Sequence, residues 1–206
     1  MYSYVMEFDL GRTDSAREYI ADAARTWPKL WGDIPGVRGT LLLSSALSLG
    51  GEFEYQWRVD IESLATLARV DETIKSGENG WRQAREDWFK ARSAARAHVS
   101  SHVAGTESYC EDLKGSEAAV HLVFHSPTGG SLRSADRLSA VAGVSGVVSS
   151  QALQPVVGST VGHEQTWLRL NSLDNLDDVA AVDLGAAHGR LYGELREVDG
   201  SLFAGA

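Results

Sequence analysis

The chain has 206 residues, of which 43% are hydrophobic and 23% charged, and it carries a formal net charge of -9 at pH 7. A nucleic-acid-binding surface needs clustered lysine and arginine, and an anionic membrane repels an acidic protein, so the composition argues against both kinds of partner. The single cysteine, Cys110, excludes an intrachain disulfide and a zinc site built on cysteines.

The first residues carry no export signal. The stretch MYSYVMEFDL lacks a basic segment followed by an apolar run, and no apolar stretch in the sequence reaches the length that spans a bilayer. We therefore expect a cytoplasmic protein.

The N-terminal part of the chain predicts a strand, a helix and two further strands. YSYVMEFDL alternates as a strand does, and TDSAREYIADAARTW repeats apolar residues on one helical face. Ser15 and Glu18 have the spacing of a capping box at the start of this helix. The turn IPGVRG then leads into the apolar run TLLLSS, and YQWRVDI predicts the third strand.

Two helical stretches follow. ESLATLARV predicts one helix, and GWRQAREDWFKARSAARA predicts a second over about residues 80–97, with Trp81 and Trp88 on its apolar face. A last strand is expected from about His98 to Cys110. His98 would then lie close to a helix end, where a cation suits the helix dipole.

The remaining sequence repeats this order without the second helical stretch. AVHLVFHS and EQTWLRL predict strands, and the glycine-bounded turn in VAGVSGVVSSQAL leads into another. SLRSADRLSAV and SLDNLDDV predict helices, and His188 to Val198 predicts a last strand. The phrase IPGVRGTLLLSSAL at residues 34–47 resembles VAGVSGVVSSQAL at residues 141–153, and the first strands of the two halves align at Phe8 and Phe124.

This internal similarity predicts the fold class. We interpret residues 1–113 and 114–206 as two ferredoxin-like βαββαβ repeats of an α+β protein, joined at Glu111 to Glu117. A ferredoxin-like sheet has helices on one face only, so its other face needs a cover. Two such sheets packed face to face would form a pseudo-dimeric α/β barrel and enclose a cavity.

The order of strand, helix, PGV.G turn and strand resembles the dimeric α/β-barrel superfamily, which includes antibiotic-biosynthesis monooxygenases, EthD-like proteins and stress-responsive barrel domains. The segment YQWRVDIESLATLARV…GWRQAREDWFKARSAARAHV, from Tyr55, is similar to the NIPSNAP-like branch. The resemblance implies a barrel in which two fused repeats replace the usual homodimer. It also admits a haem protein, because some members bind haem.

Strand alternation selects the residues expected to face the cavity. In the first strands, Tyr4 and Leu122 belong to the face that packs against helices, whereas Glu7 and His121 belong to the opposite face. Extending this alternation to the third strands gives the candidate substrate-binding residues: Glu7, Asp9, Arg58, Asp60, His125, His163, Trp167 and Arg169.

Three histidines are the candidate catalytic residues. His121 lies mid-strand between apolar neighbours, and we expect it beside Gln165 or Trp167. His102 and His188 occupy what we take to be equivalent places in the last strands. Histidine moves protons near neutral pH, and a carboxylate partner tunes it. The alternative is that these polar residues belong to a solvated strand face, or that His121 is a satisfied core residue.

A metal site is not expected. His121 and His125 are four residues apart on one strand, which separates them by about 13 Å, so they cannot share one ion. The tryptophans on apolar faces are interpreted as core residues, and Trp167 is the one placed to stack on a flat substrate. No cofactor motif is present in the sequence, so we predict no cofactor, with haem left open by the resemblance.

The favoured hypothesis is a small-molecule enzyme, monooxygenase-like or lyase/isomerase-like, that holds an apolar aromatic or polyketide-like metabolite in the barrel. His121 or a neighbouring histidine would move a proton during oxygenation, cyclisation, dehydration or rearrangement, and Arg58 or Arg169 would stabilise an enolate or phenolate oxygen. The alternatives are a non-catalytic ligand-binding or stress-related module and a haem-binding member. A homodimer of the fused chain is a further open alternative.

Overall fold

A computed structural model gives the fold of the protein and describes residues 1–47, 49, 51–106, 109–110, 120–127, 133–158, 163–184, 188–198 and 201–204. The predicted joint between the two halves, Glu111 to Glu117, lies outside the described residues. The domain boundary at residues 113 and 114 lies there too and remains a prediction.

Strands dominate the described part of the chain. They are β1 (Tyr2–Leu10), β2 (Val37–Ser45), β3 (Tyr55–Ile61), β4 (Arg92–Gly105), β5 (Val120–Pro127), β6 (Val147–Val157), β7 (His163–Leu170), β8 (His188–Val198) and β9 (Ser201–Ala204). The helices are α1 (Asp14–Gly32), α2 (Ala65–Ser76), α3 (Trp81–Ala91), α4 (Ser134–Val141) and α5 (Leu176–Ala180), the last preceded by a 3₁₀ turn at Leu173–Asn175. Within the described ranges, none of these helices has the length and apolar character needed to span a bilayer.

Eight of the strands close into an antiparallel barrel. Their order is β2-β3-β1-β4-β6-β7-β5-β8, and β8 pairs back with β2. Closure gives each of these strands two hydrogen-bonded neighbours, which satisfies the backbone groups that an open sheet edge would expose. β9 pairs with β8 as a short hairpin. The predicted barrel is therefore present, while the origin of its halves by duplication remains a prediction.

Strand alternation divides the side chains as the sequence predicts. On the outer face, Phe8 of β1 and Trp57 of β3 pack with Trp27 of α1 in one apolar core. Leu168 of β7 packs with Val141 of α4 in a second core. The alternate residues of the same strands face the inside of the barrel, where Glu7, Arg58, Asp60, His121 and Arg169 are buried, and the helices cover the outside.

The start of α1 differs from the prediction. The residue that caps the helix is Thr13, whose side-chain oxygen accepts a hydrogen bond from the backbone N–H of Ala16 at 3.2 Å. Ser15 already lies inside the first turn, so the predicted capping box of Ser15 and Glu18 is wrong. The apolar face of this helix is confirmed, because the residues assigned to it include the buried Trp27.

The predicted helical stretch over residues 80–97 is too long. α3 ends at Ala91, and β4 begins at Arg92 and pairs with β1, so that Ala95 lies opposite Phe8 and His98 opposite Val5. Alanine and arginine favour a helix by intrinsic propensity, but the pairing with β1 overrides this weak preference. His98 therefore lies inside a strand and not at a helix end, and the predicted strand from His98 to Cys110 begins and ends too late.

The two similar sequence phrases form similar turns, but Gly36 corresponds in the structure to Gly146 and not to Gly143, with which the sequence similarity aligns it. Gly36 and Gly146 both adopt positive φ, at 93° and 81°. The carbonyl of Gly36 accepts a hydrogen bond from the backbone N–H of Glu62 at 2.9 Å, and that of Gly146 from Asn171 at 3.1 Å. The first turn thereby holds β2 beside β3, and the second holds β6 beside β7.

Candidate functional site

The middle of the barrel holds a buried arginine and its partners. Arg58 is 0% exposed, and its guanidinium carbon lies 4.7 Å from the ring centre of Tyr109 and 4.6 Å from that of Trp167. Its Nε donates to Asp60 Oδ1 at 3.0 Å, and its Nη2 donates to Gln151. Aromatic faces and a carboxylate together compensate the cost of burying this charge.

Asp60 connects this cluster to His102. The hydroxyl of Ser3 donates to Asp60 Oδ1 at 2.6 Å. Because that proton is used, the hydroxyl oxygen of Ser3 accepts from Nε2 of His102 at 2.8 Å. The other ring nitrogen of His102 accepts from Gln151 Nε2 at 2.9 Å. Burial would raise the pKa of Asp60. The charge of Arg58, the ring of His102 and the hydrogen bond from Ser3 outweigh this effect and hold that pKa well below its ordinary value. Both nitrogens of His102 are therefore engaged.

His121 is the centre of a second buried chain of hydrogen bonds. Its Nε2 lies 2.6 Å from Glu194 Oε1, and its Nδ1 lies 2.9 Å from the hydroxyl of Tyr109. Because a carboxylate only accepts, Nε2 carries the proton and Nδ1 accepts from the tyrosine. Arg169 Nε lies 3.6 Å from the same carboxylate oxygen. Burial lowers the pKa of His121, so its ring is neutral at neutral pH.

The surroundings of His121 differ from the prediction in two ways. The register of β5 and β7 places it opposite Arg169 and not beside Gln165 or Trp167. The expected hollow at this level of the barrel is filled by a cluster of buried side chains, which consists of Leu41, Leu43, Tyr109, Cys110, Val123, Leu153, Trp167 and Tyr192. Large rings occupy the space in which a metabolite was expected.

A small polar cavity remains at one end of the barrel, and we call it the barrel-mouth pocket. Its volume is about 100 Å³, and its polar lining consists of Glu7, Arg96, His98, His125, His163, Gln165 and Arg190. Glu7 is held from two sides, because Arg96 Nε donates to Oε2 at 2.7 Å and Arg190 Nη1 donates to Oε1 at 2.9 Å. Three residues predicted as substrate-binding, Glu7, His125 and His163, therefore meet here with four that the sequence analysis did not select.

His98 and His125 are neutral in this pocket. The indole N–H of Trp167 donates to Gln165 Oε1 at 3.1 Å, so the amide nitrogen of Gln165 faces His98 Nε2 at 3.3 Å. Burial lowers the pKa of His98. Burial also lowers the pKa of His125 to about 3, and the charge of Arg190 acts in the same direction. Nε2 of His125 is buried and has no hydrogen-bond partner among the described residues.

A larger cavity lies on the outer face of β1 and β4, under α1, α2 and α3, and we call it the aromatic cavity. Its volume is about 470 Å³, and six aromatic side chains line it: Tyr4, Trp27, Trp31, Trp81, Trp88 and Phe89. Trp27 and Trp88 meet edge to face with ring centres 5.6 Å apart, as do Trp31 and Trp81 at 5.8 Å. This volume and this lining are typical of a small-molecule site.

The aromatic cavity opens between α2 and α3. Asp71, Ile74, Arg85 and Phe89 line both the cavity and an adjoining surface cleft of about 580 Å³. Phe89 is 57% exposed at this opening. Tyr4 is a polar residue of the inner wall, and burial raises its pKa, so its hydroxyl keeps the proton and can donate a hydrogen bond.

The aromatic cavity was not predicted from the sequence. The tryptophans on the apolar faces of α1 and α3 were interpreted as core residues, which is confirmed for Trp27 and Trp81. Helical periodicity says which face a side chain occupies, but not whether neighbouring helices close the space between them. The signal that could have found the cavity is the density of tryptophans on two helices that pack on one sheet.

Two predicted residues, Asp9 and His188, belong neither to the two cavities nor to the buried clusters around Arg58 and His121. Asp9, at the end of β1, accepts a hydrogen bond from the backbone N–H of Glu54 at 2.8 Å. His188 is exposed as the first residue of β8, opposite His125. His102 lies near the end of β4 and is nearly buried, so His102 and His188 do not occupy the equivalent places expected for them.

The side chains of these sites decide whether a haem or a metal ion could be held there. The lining of the aromatic cavity includes no histidine or cysteine, and a haem iron would find there only Met6 or the protonated Tyr4. The barrel-mouth pocket has histidines but is too small for a porphyrin. Over the described part of the chain, no group of three His, Cys, Asp or Glu side chains is placed to hold a metal ion. These residues do not fit a haem, and the expectation of a cofactor-free protein remains a prediction.

Comparisons with known proteins identify the fold. No protein-family model matches the chain, and no curated protein matches it significantly in sequence. An anthrone oxidase-like protein has a similar solved structure, with a TM-score of 0.54 and 14% identity over 100% of this chain and 96% of the other. A proposed monooxygenase from Fusobacterium nucleatum gives a TM-score of 0.59 and 10% identity over 98% and 95% of the two chains.

Chlorite dismutase from Candidatus Nitrospira defluvii, solved with imidazole, gives a TM-score of 0.54 and 12% identity over 94% of this chain and 90% of the other. At these identities the likeness concerns the fold alone. The chain therefore shares the α/β-barrel fold of these solved structures, while its membership of the dimeric α/β-barrel superfamily, and of a family within it, remains a prediction.

Proposed function

We propose that this protein is a small-molecule enzyme that binds a flat, apolar aromatic metabolite in the aromatic cavity and oxygenates it without a cofactor. The observation that carries the proposal is a cavity of about 470 Å³ walled by six aromatic side chains. A flat aromatic ligand gains both buried area and favourable ring geometry against such walls. The names of solved structures with this fold, anthrone oxidase-like protein and proposed monooxygenases, support the reaction class.

The substrate would supply the electrons for this reaction. When O₂ oxidises a ring methylene to a carbonyl, one oxygen atom forms the carbon–oxygen double bond, and the other leaves as water with the two hydrogen atoms. The protein has to orient the substrate and stabilise its enolate or phenolate oxygen. Tyr4 supplies a hydroxyl donor in the inner wall, and Arg85 supplies a positive charge at the opening.

A second candidate keeps the predicted histidine chemistry inside the barrel. Tyr109, His121 and Glu194 form a continuous chain of hydrogen bonds, in which a neutral imidazole can accept and return a proton. Arg169, beside Glu194, would favour a developing negative charge. These side chains are buried and line neither the aromatic cavity nor the barrel-mouth pocket, so a substrate could reach them only if the barrel opened. The aromatic cavity is the better supported site.

Anthrone is a suitable ligand for a test, with binding followed by quenching of tryptophan fluorescence and turnover by oxygen consumption. Trp88→Leu removes one aromatic wall, and we expect it to weaken binding about tenfold and to lower oxygen uptake with it. Tyr55→Leu is the matched control, because Tyr55 stacks on Phe8 in the same core but does not line the cavity. We expect it to change binding by no more than about twofold.

Each outcome of this test decides between the alternatives. Equal losses in Trp88→Leu and Tyr55→Leu, or no saturable binding by the wild type, would reject the aromatic cavity as the site. Binding without oxygen uptake would favour a non-catalytic ligand-binding module. A loss of turnover of about a hundredfold in folded His121→Gln, with binding unchanged, would assign the chemistry to the barrel interior.

A further inference from the structure

We propose that the barrel-mouth pocket binds a small oxyanion, either a carboxylate or a tetrahedral anion such as inorganic phosphate. The site is separate from the aromatic cavity, because the two lie on opposite faces of the same strands. Glu7 and His98 line the barrel-mouth pocket, whereas Met6 and Val99, their neighbours in β1 and β4, line the aromatic cavity.

The residues that line the pocket carry more positive than negative charge, unlike the whole chain. The chain has a formal net charge of -9. The lining of the pocket brings two guanidiniums, Arg96 and Arg190, together with one carboxylate, Glu7, and two of its three histidines, His98 and His125, are neutral. Glu52 also pairs with Arg96 at 2.7 Å, but its side chain is 68% exposed and lies outside the lining. The lining itself therefore carries two positive charges against one negative charge, and Glu52 offsets part of the charge of Arg96 from the solvent side.

The hydrogen-bonding groups of the pocket are mostly donors. The two oxygens of Glu7 are already engaged by Arg96 and Arg190. Gln165 presents its amide nitrogen to the pocket, because its oxygen accepts from the indole of Trp167. Nε2 of His125 is buried and, within the described residues, has no partner. An anion with several acceptor oxygens complements such a set, and its bonds to guanidinium groups would be charge-assisted.

Size and charge restrict the ligand further. A cavity of about 100 Å³ is well below the volume of about 300 Å³ at which drug-sized ligands begin to fit. It corresponds to about three water molecules at their liquid volume, which suits an ion of about four or five non-hydrogen atoms. The guanidiniums repel a cation. A small oxyanion is the class of ligand that meets both conditions.

Calorimetric titration of the full chain with sodium phosphate, and separately with sodium acetate, tests the proposal near neutral pH and low chloride. We expect saturable binding of at least one anion with a dissociation constant of about 1 mM. The better of the two identifies a tetrahedral or a planar oxyanion. His125→Phe fills the pocket and Arg190→Gln removes one charge, and each is expected to weaken binding at least about tenfold.

Arg25→Gln is the matched control, since it makes the same charge change on the exposed surface of α1 and should leave the affinity unchanged. The imidazole NMR signals of His98 and His125 should shift on titration, whereas that of His102, which is bonded to Ser3 and Gln151, should not. No saturable binding of either anion would overturn the proposal, as would an affinity unchanged in the variants. If circular dichroism shows that His125→Phe is unfolded, Arg190→Gln decides the question.

Discussion

Buried histidines make the stability of this protein dependent on pH. Burial lowers the pKa of His98, His121 and His125, and the last falls to about 3. An unfolded histidine takes up a proton below a pH of about 6.5. The folded state takes up that proton only at lower pH, so the unfolded state binds more protons in between, and the free energy of unfolding falls as the pH falls.

We expect His125→Gln to remove part of this dependence. In the wild type, His125 contributes a slope of up to about 1.4 kcal/mol per pH unit well below pH 6.5. Urea unfolding between about pH 6.5 and 5.5 measures this slope while most carboxylates of the unfolded chain remain ionised. His188→Gln, at an exposed position, is the matched control and is expected to keep the wild-type slope. An identical slope in His125→Gln would contradict the prediction.

For single residues, the sequence predicted the face of the strand but not the partner across the barrel. Alternation along a strand correctly assigned Arg58, His121 and Trp167 to the inside of the barrel, because the side-chain period of two is a property of the strand alone. The partners Tyr109 and Glu194 were not predicted. Which side chains meet across the barrel depends on how β2 pairs with β8 and how β4 pairs with β6, and no local pattern records those pairings.

At the scale of elements, two glycines fix the turns that lead into β2 and β6. Gly146 has a φ of 81°, and an added Cβ would collide with the side chain of Asn175. Gly36 has a φ of 93°, and an added Cβ would lie 2.7 Å from Thr66 Oγ1. Residues other than glycine rarely adopt this backbone region, so a larger residue at either position would strain the turn.

We therefore expect Gly146→Ala to lower the free energy of unfolding by about 1 kcal/mol or more. Gly143, in the same turn, offers a matched control, because an added Cβ there meets no atom within 4 Å. Gly143→Ala should be neutral or stabilise the protein by about 0.5 kcal/mol, because it reduces the freedom of the unfolded chain. Urea unfolding of both variants measures the difference. Equal effects would mean that the positive φ at Gly146 does not matter.

The boundary between α3 and β4 shows why some elements were mispredicted. Residues 92–97 have helical composition, and the sequence analysis extended the helix through them. In the structure they pair with β1, which lies more than eighty residues earlier in the chain. A distant partner decides the conformation here, and intrinsic propensity supplies too little free energy to oppose it.

At the scale of the whole molecule, side-chain hydrogen bonds join the two parts of the barrel, β1 to β4 and β5 to β8. Arg190 of β8 donates to Glu7 of β1, and Arg58 of β3 donates to Gln151 of β6. The strand pairs β4–β6 and β2–β8 join the same parts through the backbone. Because neither part buries its inner face without the other, we expect one cooperative unfolding transition.

Glu7→Gln tests this cooperativity. The substitution removes the charge that holds Arg96 and Arg190, and we expect it to lower the free energy of unfolding by about 2 kcal/mol. Five of the six tryptophans precede residue 106, so tryptophan fluorescence reports mainly on β1 to β4 and their helices, whereas far-UV circular dichroism reports on the whole barrel. Both signals should change at the same urea concentration in the wild type and move together in the variant.

Glu52→Gln is the control, because Glu52 is an exposed partner of Arg96, and it should lower the free energy of unfolding by less than about 0.5 kcal/mol. Separate midpoints for the two signals would mean that the two parts of the barrel fold independently, and that closure of the barrel adds little to the stability of either.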